Sequence, residues 1–245
     1  MDNQAATTWH VLLSLGLLLA VWQGIVWATG VPSFILPGPV AVFEAFWRNI
    51  GLILEHGSAT AIEVLLGMLI GTSLGAATAL YLMWSPLARK LTMPALILSQ
   101  TIPVFALAPI LTLWLGYGLA SKIAMTILII YFPVTSTFLD GLQNTPRGFL
   151  DLARCMHASR LAILFKVRVP SAQKPAAVYA PIGAVIGEWV GASQGLGYLM
   201  LLANGRVKID LMFAALIALC VFTLILRVII GYVSKRLNEW AGTGR

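Results

Sequence analysis

Charge is scarce in this sequence: 10% of its 245 residues are Asp, Glu, Lys or Arg, against 59% hydrophobic. Soluble domains carry about 25% charged residues, so a water-facing surface cannot be built all round. Cysteine is limited to Cys155 and Cys220, which excludes a disulfide framework and a zinc site of cysteine spacing. His10, His56 and His157 stand far apart without paired-His spacing, so no metal ligand is assigned. The chain also lacks a glycine-rich phosphate loop ending in Lys-Ser or Lys-Thr, and a Gly-flanked serine on a strand-to-helix turn. Catalytic residues are therefore unassigned, and a membrane-embedded enzyme, which would need a clustered constellation, is disfavoured.

What the sequence has instead is apolar length. Mean hydropathy is +0.89, and several runs reach the roughly 20 residues that a helix needs to cross a bilayer core of about 30 Å. The runs are continuous rather than alternating, and lipid leaves only helices or closed barrels to satisfy the backbone, so the expected class is an all-α integral membrane protein. Hydropathy places six spans near 10–29, 59–83, 92–115, 122–140, 175–191 and 211–232. The opening MDNQAATTWH has no basic region, which predicts a retained first span rather than a cleaved signal. Residues 31–57 begin with Pro32, Pro37, Gly38 and Pro39 and then turn amphipathic, predicting a helix in the interface plane anchored by Phe43, Phe46 and Trp47. The expected organisation is an N-terminal part, 1–58, and a five-span core, 59–245.

The net charge of +7 would suggest nucleic acid for a soluble chain. Here the basic residues sit in short loops, and the expected partner is the bilayer, with no nucleic acid. With both termini in the cytoplasm, inner loops collect Arg89, Lys90, Arg147, Arg154, Arg160, Lys166, Arg168, Lys174, Lys235, Arg236 and Arg245, while outer loops hold Arg48, Lys122, Arg206 and Lys208. The longest inner connection, about 141–174, contains DLARCMHASRLAILFKVRVP (151–170). Leu150, Ala153, Met156 and His157 share one helical face there, and Leu161, Leu164 and Phe165 continue an apolar stripe. Such a stretch is either a helix lying among headgroups or a docking element for a cytoplasmic partner.

This stretch resembles the cytoplasmic signature loop of ABC-importer membrane subunits, in which Glu-Ala-Ala is followed after three residues by Gly and later by Leu-Pro. Asp151 stands at the Glu position, Leu152 and Ala153 at the Ala positions, His157 at the Gly position and Val169-Pro170 at the closing pair. LPGPVAVFEAF (36–46), SQTIPVFALAPILTLWLGYGLASKI (99–123), YFPVTSTFLDGL (131–142) and GEWVGASQGLGYLM (187–200) resemble the nitrate, sulfonate, taurine and thiamine-precursor branch of these permeases. The resemblance implies a type I importer permease fold with a cytoplasmic coupling helix in a bacterial inner membrane. It implies a second permease copy forming a homodimer, two ATPase subunits and an extracytoplasmic binding protein. This chain itself would bind no cofactor, and ATP and Mg would sit on the ATPase. Asp151, Leu152, Ala153, Met156, His157, Arg160 and Pro170 are the implied coupling residues. The substrate implied is a thiamine pyrimidine precursor or related heterocycle, with sulfonate, taurine or nitrate as the alternative. Two departures stand out: His157 replaces the Gly, and the segment between Pro170 and Glu188 is several residues short.

Within the spans, Gly67, Gly71 and Gly75, and again Gly183, Gly187 and Gly191, recur at intervals of four. Such ridges let helices approach closely, either as fixed packing or as sliding surfaces. Pro103, Pro109, Pro133 and Pro181 interrupt spans, and Ser99, Gln100 and Thr101 precede the first break. These three either line a pathway or only satisfy the broken helix. Glu188 is costly in a span, so it either lines the pathway or ties the structure together. Glu63 reads as an interfacial acid. A passive channel, the remaining class, would conduct without ATP and tolerate disruption of 151–170.

Overall fold

The computed structural model describes residues 2–171, 188 and 193–240. Helix α1 (Asp2–Thr29) leads to α2 (Pro39–Arg48), α3 (Ile50–Trp84), α4 (Pro86–Thr101), α5 (Val104–Leu115) and α6 (Leu119–Gln143). The loop that follows holds α7 (Arg147–Cys155), α8 (Arg160–Ile163), a π-helical turn (Leu164–Arg168) and α9 (Val169–Ser171). The chain closes with α10 (Leu196–Gly205) and α11 (Ile209–Trp240). The described residues are thus all-α.

Three described helices are long and apolar enough to cross a membrane: Ile50–Trp84, Leu119–Gln143 and, within α11, Ile209–Val233. Shorter apolar stretches are Leu13–Thr29, Ala106–Leu115 and Leu196–Gly205. The span expected at 92–115 is two helices, because Pro103 withholds a donor and Ile102 is extended at φ −74°, ψ 121°. The span expected at 175–191, with Gly183, Gly187 and Gly191, lies outside the described residues except for Glu188. Gly38 and Pro39 start the ten-residue α2, and the turn at Asn49 launches α3 at Ile50, ahead of the run expected at 59–83.

The α3/α6 pair is the backbone of the molecule, and glycine makes it close. A Cβ on Gly67 would overlap the Thr126 side chain, one on Gly71 would lie 3.2 Å from the Ile127 carbonyl, and one on Gly75 3.0 Å from Val134. Beside this seam, Val64, Ile130, Val134 and Leu226 bring α11 onto the pair. At one end Val42, Ala45, Ile53, Leu196, Leu199 and Ala214 pack α2, α3, α10 and α11 together. At the other, Ala79, Leu82, Leu96, Leu139, Leu142 and Leu164 join α3, α4 and α6 to the loop. The many exposed large apolar residues, such as Leu69, Leu98, Leu113 and Val228, are the surface expected to face lipid.

Candidate functional sites at the two ends of the helix pair

The loop is a helix-turn-helix whose turn is set by hydrogen bonds. The His157 amide donates to the Arg154 carbonyl at 2.9 Å and the Ala158 amide to the Ala153 carbonyl at 3.0 Å. This is a Schellman motif, and it requires a left-handed residue where His157 stands, at φ +53°. The position is one where glycine carries no Cβ penalty, which accounts for the Gly of the signature. Ser159 then opens α8, its hydroxyl accepting from the Ala162 amide at 3.2 Å.

Side-chain direction in α7 departs from the sequence expectation. Leu150 and Ala153 are buried against the chain itself, so Ala153 is not on a free docking face. Phe149, Leu152 and Met156, three and four residues apart, are exposed on a neighbouring stripe. Met156 therefore leaves the face expected for it, while Leu152 belongs to the exposed row. Arg160 is exposed, Pro170 lies within α9, and Asp151 accepts from Arg154 at 3.1 Å in a pair 65–66% exposed. Beneath them Arg168 donates to the Leu142 carbonyl at 2.7 Å, fastening the loop to the end of α6.

Nothing in the spacing announced the second site. Glu63 on α3 is completely buried rather than interfacial, and accepts from Lys122 on α6 at 2.8 Å. The Lys122 ammonium, its side chain 6% exposed, also donates to the Gln194 carbonyl at 3.1 Å. Thr60 donates to Glu188 at 2.6 Å and accepts from the Leu196 amide at 2.8 Å. Glu188 accepts from the Gly197 amide, and His56 Nδ1 from the Gly195 amide at 3.1 Å. Side chains from α3 and α6, with Glu188, thus hold the backbone of four consecutive residues, Gln194 to Gly197. Thr60 and Glu188 cap the N-terminal amides of α10, groups that a helix cannot satisfy internally and whose dipole favours a carboxylate. Gly195, at φ +115°, leaves room for the Glu188 carboxyl that a Cβ would strike.

Glu188 is therefore gathered with Thr60, Glu63 and Lys122, not with the residues before Pro103. Ser99 donates to the Leu96 carbonyl and Thr101 to the Leu98 carbonyl, both at 2.7 Å and within α4. Gln100 lies in the same helix, and its side chain is outside the description. From Glu63 to Trp84, and from Lys122 to Gln143, the helices run roughly 32 Å at about 1.5 Å per residue. The buried cluster and the loop thus stand at opposite ends of one helix pair, separated by about a hydrocarbon core.

Known proteins share this architecture. A probable ABC transporter permease of Haemophilus influenzae is 47% identical, over 92% of this chain and 95% of its own length. A formylaminopyrimidine transport permease of Halalkalibacterium halodurans is 35% identical over 74% of this chain and 76% of its own. A riboflavin transport system permease of Chloroflexus aurantiacus is also 35% identical, over 93% and 88%. Taurine and aliphatic sulfonate permeases of Escherichia coli and Bacillus subtilis match at 25–27% identity. A solved methionine ABC transporter in inward-facing conformations superposes with a TM-score of 0.58 at 18% identity, covering 80% of this chain and 96% of that one, and gives the fold as that of a type I permease. Residues 65–239 match the family described as binding-protein-dependent transport system inner membrane component, and with the relatives above this makes the chain a member of that family, a membrane-spanning permease subunit of the ABC-importer kind.

Proposed function

We propose that this permease pairs with a second copy, docks two ATPase subunits through α7 and α8, and passes a solute delivered by an extracytoplasmic binding protein. Both termini lie in the cytoplasm, as the excess of Lys and Arg on the side of residues 141–174 favours. The chain carries no cofactor of its own, and ATP and Mg act on the ATPase. The observation that carries the reading is the exposed row Phe149, Leu152 and Met156, an apolar helix face of the kind that enters a groove on a partner. Leu164 and the Arg168 hydrogen bond fix the loop to α3 and α6. A displacement of α7 is then delivered to a rigid pair whose far end is the buried cluster, which suits a rocking transition.

For substrate, a thiamine pyrimidine precursor or related heterocycle is favoured. The relatives named for formylaminopyrimidine and riboflavin are both more similar than those named for taurine and sulfonates. The cluster also has two carboxyl groups for one ammonium, so it offers no excess of positive charge to a sulfonate or nitrate. Tagged chain purified in mild detergent should bring an ATP-binding subunit with it, and Leu152→Arg should abolish the association and return ATP hydrolysis to its unstimulated rate. Undiminished association and transport in that variant would overturn the docking role of α7. Uptake of labelled aminopyrimidine, riboflavin and taurine by cells with and without the chain then decides among the substrates.

A further inference from the structure

Between the loop and the cytoplasmic end of α3 lies a cavity of about 600 Å³. Arg154, Arg160 and Arg168 line one part of it, and Met83, Trp84 and Leu164 another. Its lining contains no acidic side chain among the described residues. Asp151 reaches Arg154 from outside, in an exposed pair that does little to neutralise it. Burial, and after it the Arg154 charge, pull the Arg168 guanidinium below its ordinary pKa.

We propose that this cavity binds the phosphate group of an anionic phospholipid, gripped by Arg154, Arg160 and Arg168 with the acyl chains leaving along Trp84. Guanidinium forks match phosphate oxygens in shape and charge. Trp84 ends a membrane-crossing helix and is 59% exposed, which puts the cavity at headgroup depth, where an aromatic ring lies against lipid. Basic pockets on the cytoplasmic side of a helix bundle are suited to such headgroups. Because Arg154 and Arg160 belong to α7 and α8, the lipid would bridge the moving loop to the end of α3.

The test is native mass spectrometry of the full-length chain, with whatever subunits accompany it, extracted from nanodiscs of phosphatidylcholine alone or mixed with phosphatidylglycerol. Wild-type protein should retain about one phosphatidylglycerol per chain and no phosphatidylcholine. Arg154→Gln with Arg160→Gln should weaken retention about thirtyfold, roughly fivefold for each guanidinium. Both side chains are exposed, so the fold does not depend on them. Arg168 is left intact because it holds the Leu142 carbonyl. Exposed Arg48, changed to Gln, controls for a general loss of charge. The Lys pair, Arg154→Lys with Arg160→Lys, should recover part of the retention. Equal retention in wild type and the double Gln variant overturns the proposal. An arginine-dependent adduct of inorganic phosphate that phosphatidylglycerol does not displace overturns the lipid assignment. So does a cavity that loses its lipid whenever the ATPase is bound, since it would then belong to the partner.

Discussion

Two carboxylate–cation pairs of this molecule lie in opposite surroundings. Asp151–Arg154 lies on one turn of α7 at 3.1 Å with both side chains about two-thirds exposed. Glu63–Lys122 joins two helices at 2.8 Å with side chains 0% and 6% exposed. Water screens the first, and its partners have lost little by meeting. In the second, neither charge has water to return to, so each depends on the other, and Lys122 also on the Gln194 carbonyl. Geometry alone would rank the two alike, and burial separates them. The exposed pair ties nothing beyond its own helix turn, whereas the buried one fixes which parts of α3, α6 and α10 stay together.

The strongest way to break this contrast is Lys122→Met. Glu63 would be left buried without its counter-ion, and Glu63 Oε2 already has no hydrogen-bond partner among the described residues. A loss of about 3–5 kcal/mol is expected, read as a lowered melting temperature and faster proteolysis in detergent. Adding Glu63→Leu should recover most of it, because removing both charges costs far less than stranding one. A double variant as unstable as the single would show that the pair acts through something other than charge.

Next in size is Gly195→Ala, at about 1–3 kcal/mol. The new Cβ would meet both a left-handed backbone and the Glu188 carboxyl. The loss should shrink when Glu188→Ala is made as well, which a double-mutant cycle of melting temperatures would detect.

The division between what was readable and what was not follows the same contrast. Apolar runs announced α3, α6 and α11, and Gly67, Gly71 and Gly75 marked the seam between α3 and α6, because period and small side chains are local properties. The start of α3 at Ile50 was hidden, since Glu55, His56 and Ser58 lower the hydropathy of a helix that continues past the apolar run. The buried cluster was hidden more deeply. Lys122 and Glu63 are 59 residues apart, Thr60 and Glu188 128, and each taken alone resembles a loop charge or a back-bonded hydroxyl. A Lys and a Glu near the same end of two parallel spans were the available signal. In α7 the difficulty differed: apolar residues occupy both faces, so period could not decide whether Ala153 or Leu152 pointed away.

In the exposed loop the effects become small and change sign. His157→Gly should stabilise by about 0.5–1 kcal/mol, since the left-handed Schellman position no longer carries a Cβ, less the entropy that glycine loses on folding. The gain should appear as slower hydrogen exchange at the Ala158 amide, which the motif ties to Ala153.

Smallest of all is Asp151→Asn. The pair it breaks spans three residues on one exposed helix, and such pairs contribute about 0.2–0.5 kcal/mol. That contribution should fade in high salt, because both charges are within reach of counter-ions. Melting temperatures of Asp151→Asn and wild type should therefore converge as salt rises, while the gap between Lys122→Met and wild type persists. If Asp151→Asn instead cost as much as Lys122→Met, the Asp151–Arg154 pair would have to be buried by a partner in the assembled transporter. Repeating the measurement with and without the ATPase subunit would then show whether docking turns the exposed pair into a second buried one.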